Sequence, residues 1–209
     1  MKSKVGIIDY DSGNFASVWT AFEKQDCSLQ RIRNPEHFHG CSHVVLPGVG
    51  AFSSAIDKLQ RQGLFENLQS LLQDGGIPFL GICVGMQVLA EYGEEFTRTK
   101  GFEVVTGSVI KFDFSSVTHG LSLPHMGWND VAAHQDSRLF HGLDPEDASF
   151  YFVHSYRLQS DDRLARFSYT DYGGDFIAAF EKDNIFGVQF HPEKSQRNGY
   201  QLIKNFIDI

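Results

Sequence analysis

The chain has 209 residues, 42% hydrophobic and 21% charged, with a formal net charge of −8. That balance predicts one folded domain with an ample core. It also argues against nucleic acid or an anionic membrane as the main partner, because both select basic surfaces and the longest Lys/Arg cluster is the Arg31, Arg33 pair.

The longest apolar runs are too short for a transmembrane helix, and strand-like sequence from Val5 leaves no room for a signal peptide. Cys27, Cys41 and Cys83 are odd in number and lack C-x-x-C spacing, which suggests neither a disulfide framework nor a zinc site. A reducing cytoplasm is the expected setting.

Val5–Ile8 reads as a short buried strand and Asp9–Asn14 (DYDSGN) as a polar turn. Phe15 to Lys24 reads as a helix, since Phe15, Val18, Trp19 and Phe22 fall at i, i+3, i+4 and i+7. Ser28–Ile32 and His43–Leu46 are the next strands, the second ended by Pro47-Gly48. Ala55–Leu72 carries helically spaced Ile and Leu, with Gly63 as a possible break. Ile77–Gly81 is another buried strand, and a helix is expected over Met86–Glu91. Doubly apolar strands alternating with helices predict an open, mostly parallel α/β sheet with helices on both faces.

From Val104 onward the pattern turns to short β runs: Val104–Phe114, Asp130–Ala133, Phe150–Leu158, Arg163–Tyr169, Phe176–Glu181 and Ile185–Phe190. Asp183-Asn184 marks a hairpin between the last two, and Gly199–Ile207 a closing helix. Neither a repeat nor a linker interrupts the chain. One domain over residues 1–209, with an antiparallel extension in its second half, is the expectation.

Gly81-Ile82-Cys83-Val84-Gly85 sets a thiol between two glycines, after a buried strand and before helical spacing. Small neighbours allow a sharp turn that presents the side chain, and a helix N-terminus favours thiolate. A small buried hydrophobe is the competing reading, and it is the preferred one for Cys27 and Cys41. A nucleophilic thiol needs a base with an orienting partner. His191 directly follows a predicted strand, where open sheets place reactive groups, and Glu193 lies within reach of its ring. Leu46-Pro47-Gly48-Val49-Gly50-Ala51 offers flexible backbone N–H groups for an oxyanion. A phosphate loop is disfavoured there, because the third glycine of G-x-G-x-x-G and the P-loop lysine are missing.

Together these motifs resemble the class I (triad) glutamine amidotransferases: G-x-C-x-G-x-Q (Gly81–Gln87), P-G-x-G (Pro47–Gly50) and H-P-E (His191–Glu193). IIDYDSGN, LPHMGWN (Leu123–Asn129), YFVHSY (Tyr151–Tyr156) and GVQFHPEKS are similar to one branch of that family, the glutaminase subunits of imidazole glycerol phosphate synthase, over residues 7 to 195. The resemblance implies a flavodoxin-like sheet and hydrolysis of L-glutamine to L-glutamate and ammonia. It gives Cys83 the thioester-forming role, His191 the proton transfers and Glu193 the orientation of the ring.

By the same resemblance Val49 and Gly50 belong to the oxyanion strand, while Gly48, Gln87, Ser155 and Tyr156 hold glutamine. No metal or other cofactor is implied. The ammonia would pass through a channel to a (β/α)₈-barrel cyclase partner in a heterodimer, with Asn14, Trp128 and Lys194 toward that interface. Activity without the partner is expected to be low, since the family's oxyanion strand must reorient.

Asp11 and Ser12 depart from the family's small or apolar turn, and Val84 replaces a commoner leucine. The alternatives are a paralogous ammonia supplier for sugar amidation in surface-polysaccharide synthesis, a silent scaffold on the same fold, and a cysteine peptidase on a related one.

Overall fold

The computed structural model describes residues 2–115 and 120–209. Along the chain the elements are β1 (Lys4–Ile8), α1 (Phe15–Glu23), β2 (Ser28–Ile32), β3 (His43–Gly48), α2 (Phe52–Arg61), α3 (Phe65–Asp74), β4 (Phe79–Cys83) and α4 (Val84–Gln87). There follow β5 (Ala90–Gly93), β6 (Thr99–Lys100), β7 (Val105–Lys111), β8 (His125–Asp130), β9 (Ser149–His154) and β10 (Tyr156–Gln159). The last elements are β11 (Arg166–Asp171), β12 (Asp175–Lys182), β13 (Ile185–Val188) and α5 (Gln196–Asp208).

The main sheet has the order β11-β12-β13-β4-β3-β1-β2. From β2 to β13 its neighbours run parallel, whereas β12 and β11 are antiparallel. The central strands β3, β4 and β13 are buried at every position, as strands covered on both faces must be. On one face Phe206 of α5 meets Phe22 of α1 and Phe186 of β13. On the other, a Cβ at Gly187 would lie 2.7 Å from Met86 of α4. Phe186 and Gly187 point to opposite sides by strand periodicity, so α4 and α5 flank the sheet from opposite faces. Smaller sheets β10-β7-β5-β6 and β8-β9 extend this frame.

Four expectations are corrected. The helix over Met86–Glu91 is replaced by the single turn α4 and then β5. The carbonyls that would continue a helix are taken instead: Phe102 N donates to Val88 O at 2.8 Å, Val104 N to Leu89 O at 2.9 Å and Gly101 N to Glu91 O at 2.8 Å. The strand expected over Asp130–Ala133 lies earlier, as β8, and Ala132 keeps only an isolated bridge to Tyr169. Phe150–Leu158 divides at Ser155, because β9 pairs with β8 and β10 with β7. Finally, β3 runs on through Pro47-Gly48. Ala55–Leu72 does break at Gly63, whose φ of +65° ends α2 in a left-handed turn.

Candidate active site

Strand β4 ends on Cys83, whose φ of 55° is costly for any residue with a side chain. The flanking glycines make that turn possible. A Cβ on Gly81 would sit 2.5 Å from the Gly85 carbonyl oxygen, and one on Gly85 would sit 1.9 Å from the Leu46 oxygen. Backbone therefore packs directly on backbone around the thiol, which is 4% exposed. Since α4 is one turn, it supplies free N–H groups but little of the dipole that a longer helix would bring.

The candidate base, His191, comes from the strand on the far side of β4. Strand β13 pairs with β4, and the chain passes from it through Gln189 and Phe190 to His191. His191 Nδ1 donates to Glu193 Oε1 at 2.7 Å, and both side chains are fully buried. Nε2 has no conventional hydrogen-bond partner among the described residues. Burial lowers the basicity of the ring, but the Cys83 charge and hydrogen bonding, joined by Glu193, outweigh it and push the pKa up to about 10. A thiol beside an imidazole that a buried carboxylate orients is the arrangement of an activated nucleophile, with slack geometry normal in an empty site.

A cavity of about 630 Å³ opens over Cys83. Val49, Gly50, Gln87, Ser155 and Tyr156, all named from the sequence, line it together with Cys83. Gly48 is buried beneath, pairing in register with Cys83 across β3 and β4, so the chain beyond it passes the thiol. Gly50 has φ +97° and open space around its Cβ position. Two further wall residues escaped sequence reasoning. Glu95 borders the cavity while its carboxylate accepts from Phe52 N at 3.1 Å, and Phe96 beside it is 84% exposed. The one signal for them was the acidic pair Glu94-Glu95 just after the expected helix Met86–Glu91. Another hollow of about 430 Å³, between Phe38, Leu71 and Ile77, lies apart from these groups. Among the described residues no three His, Cys, Asp or Glu side chains cluster so as to hold a metal ion.

The residues expected at a partner interface divide into two kinds. Trp128 stands half exposed beside Met126, its ring edge against Tyr151, and Lys194 Nζ lies 5.7 Å over that same Tyr151 ring. Asn14 is instead buried. It occupies the N-cap position of α1 without capping it: its Oδ1 accepts from Ser12 Oγ at 3.4 Å, while its Nδ2 donates to Glu193 Oε1 at 3.4 Å. Sequence reading also missed Gln189. This fully buried side chain donates from Nε2 to Cys83 Sγ at 3.6 Å, and the signal was a single polar residue inside the apolar run Ile185–Phe190.

A family model described as glutamine amidotransferase class-I matches residues 6–209. The chain belongs to that family. This amidotransferase is 38% identical over 205 residues to the imidazole glycerol phosphate synthase subunit HisH of Leptospira interrogans, covering 98% of the chain and 100% of the relative. It is 42% identical over 205 residues to HisH of Methanocaldococcus jannaschii, covering 98% and 99%. Its fold is also that of solved structures of low sequence identity. A glutamine amidotransferase aligns with a TM-score of 0.74 at 17% identity, covering 98% of this chain and 97% of that one. PurLQS from Thermotoga maritima aligns at 0.74 and 16%, covering 100% and 99%.

Proposed function

We propose that residues 1–209 form one glutaminase domain that acts as the glutamine-hydrolysing subunit of imidazole glycerol phosphate synthase. The observation that carries this reading is the fully buried His191–Glu193 pair, at 2.7 Å, whose ring basicity is raised by the Cys83 sulfur. Near-full-length relatives named as HisH subunits support the histidine-biosynthetic assignment over sugar amidation.

In this reading Cys83 Sγ attacks the side-chain carboxamide carbon of glutamine. The carbonyl π bond opens to a tetrahedral oxyanion, which the backbone N–H groups of the Val49–Gly50 segment and of Val84 receive. His191 Nε2 then hands its proton to the leaving nitrogen as the C–N bond breaks, giving ammonia and a glutamyl thioester. Water, deprotonated by the same nitrogen, cleaves the thioester to glutamate and returns the thiol. Gly48 shapes the cavity floor, Gln87, Ser155 and Tyr156 hold the substrate's polar groups, and the Glu95 carboxylate faces its α-ammonium.

No cofactor enters this chemistry. Ammonia leaves for a (β/α)₈ cyclase that docks on the Trp128–Lys194 face as a heterodimer. A cytoplasmic setting suits three free cysteines, one of them reactive.

The test is glutamate release from glutamine with a histidine-pathway cyclase present. Cys83→Ala should lose at least about 10³-fold in kcat yet still bind the cyclase. Turnover of glutamine by that variant within tenfold of the parent rejects the assignment. Failure of the parent to support glutamine-dependent cyclase turnover rejects the pathway.

A further inference from the structure

The bonds around Cys83 include one that the triad does not use. Gln189 precedes His191 by two residues, just past the end of β13, and the side chains of both reach Cys83. The Gln189 backbone N–H donates to Ala178 O at 2.8 Å, extending the β12–β13 ladder past Val188 and fixing the residue. A carboxamide this deeply buried is costly unless both its ends are bonded.

The direction of those bonds follows from one atom. The Tyr156 carbonyl can only accept, and it receives His154 Nδ1 at 2.8 Å and the Gln87 side-chain nitrogen at 3.1 Å. The Gln87 nitrogen is thereby identified, and it also lies 3.0 Å from Gln189, which must turn its oxygen there. The Gln189 nitrogen is left toward the Cys83 sulfur. The same logic runs outward. His154 Nε2 accepts from His125 Nδ1 at 3.2 Å, and His125 Nε2 accepts from Asn129 Nδ2 at 3.3 Å. Burial keeps the two rings neutral, with pKa values of about 3 and about 4, so the sense of the chain holds at working pH.

We propose that Gln189 is a catalytic residue of the glutaminase: its side-chain N–H donates to the Cys83 sulfur, stabilises the thiolate and holds it for attack. Gln87 is then a positioning residue that acts through Gln189, in addition to forming part of the cavity wall. The proposal deepens the reading of Cys83 as nucleophile and rests on it. The other groups acting on that sulfur are His191, with Glu193 and Asn14 behind it, and the buried Tyr10 hydroxyl, whose pKa its surroundings raise.

The experiment follows alkylation of Cys83 by iodoacetamide against pH, resolved from Cys27 and Cys41 by peptide mass spectrometry, beside steady-state kinetics on glutamine. Gln189→Leu should move the pH midpoint of alkylation up by about one unit and lower kcat about tenfold, with KM within about twofold. Gln189→Glu keeps the size but sets an acceptor against the sulfur, and should move the midpoint further. Gln87→Leu should shift it in the same direction by less, and the double variant Gln87→Leu/Gln189→Leu should match Gln189→Leu alone.

An unmoved midpoint in a Gln189 variant that melts like the parent overturns the proposal and leaves Cys83 as nucleophile. Should both Gln189 variants unfold, an unmoved midpoint in Gln87→Leu overturns it equally. Parent Cys83 alkylated no faster than Cys27 and Cys41 overturns the reading beneath it.

Discussion

Two glycine-flanked turns meet over the same cavity and are built in opposite ways. At Cys83 the backbone is packed on itself: the Cβ positions of Gly81 and Gly85 are filled by carbonyl oxygens within 2.5 Å. The thiol is buried, and its base is already bonded to a buried carboxylate. At Gly50 nothing lies within 4 Å of the Cβ position, φ is +97°, and neighbouring Val49 is 38% exposed. The proposed nucleophile is preassembled by packing, whereas the proposed oxyanion segment has open space at Gly50. Strain over-determined by its surroundings belongs to the first turn, freedom to rearrange to the second.

The largest effect should come from closing the small space at the first turn. Gly85→Ala places a methyl 1.9 Å from the Leu46 oxygen, where only backbone can give way. Overpacking of this kind should cost about 3 kcal/mol or more, read as a fall in urea midpoint at constant m. A midpoint within error of the parent's would show that the turn is not locked.

The second prediction addresses the electrostatic half of the lock. The folded pKa of His191, about 10, lies above the usual value of 6.5, so the folded chain holds this proton more tightly than the unfolded one. The resulting stabilisation is complete below about pH 6.5 and is lost as pH rises through about 10. Imidazole NMR should show His191 titrating near 10 in the parent. In Cys83→Ala the charge that opposes burial is gone, and the pKa should fall by at least about one unit. A ring that titrates near 6.5 in both proteins would mean that thiol and imidazole are not paired at rest.

How much of this was legible in the sequence depends on whether side-chain pattern or backbone contact does the work. The parallel core was readable because β3, β4 and β13 are buried on both faces and spelled in apolar letters. Strand β8 was misplaced because its pattern is inverted: buried His125 and half-buried Asn129 point inward, while Met126 and Trp128 point out. An apolar-in rule misses such a strand, because here the large apolar side chains Met126 and Trp128 are the exposed ones. The helix after Cys83 looked longer than it is, because residues 88–90 surrender their carbonyls to the segment 102–105, a contact no local periodicity encodes. The motif residues were brought to one place by register, Gly48 opposite Cys83 and β13 beside β4. Gln189 stayed hidden inside the very motif that gave His191, since its meaning lies in a hydrogen bond to a residue 106 positions away.

The smallest effect on stability should come from the second turn, where it separates the two designs most cleanly. Gly50→Ala puts a side chain at φ +97° but into open space, so the penalty is backbone strain of about 1–2 kcal/mol, part of it relieved as the exposed loop shifts. In a chain of 209 residues that is a loss of roughly 2–8 °C in Tm. Alkylation of Cys83 should keep the parent's rate and pH midpoint, because the methyl added at Gly50 enters open space and has nothing to push against. Glutamine turnover with a cyclase present should nevertheless fall about tenfold or more, since an oxyanion donor that cannot reach its position removes stabilisation from the transition state alone. If alkylation slows in step with turnover, the two turns move as one body and the contrast between them is false. If turnover alone falls, the thiol is ready before glutamine arrives, and the loop beside it decides when that readiness is used.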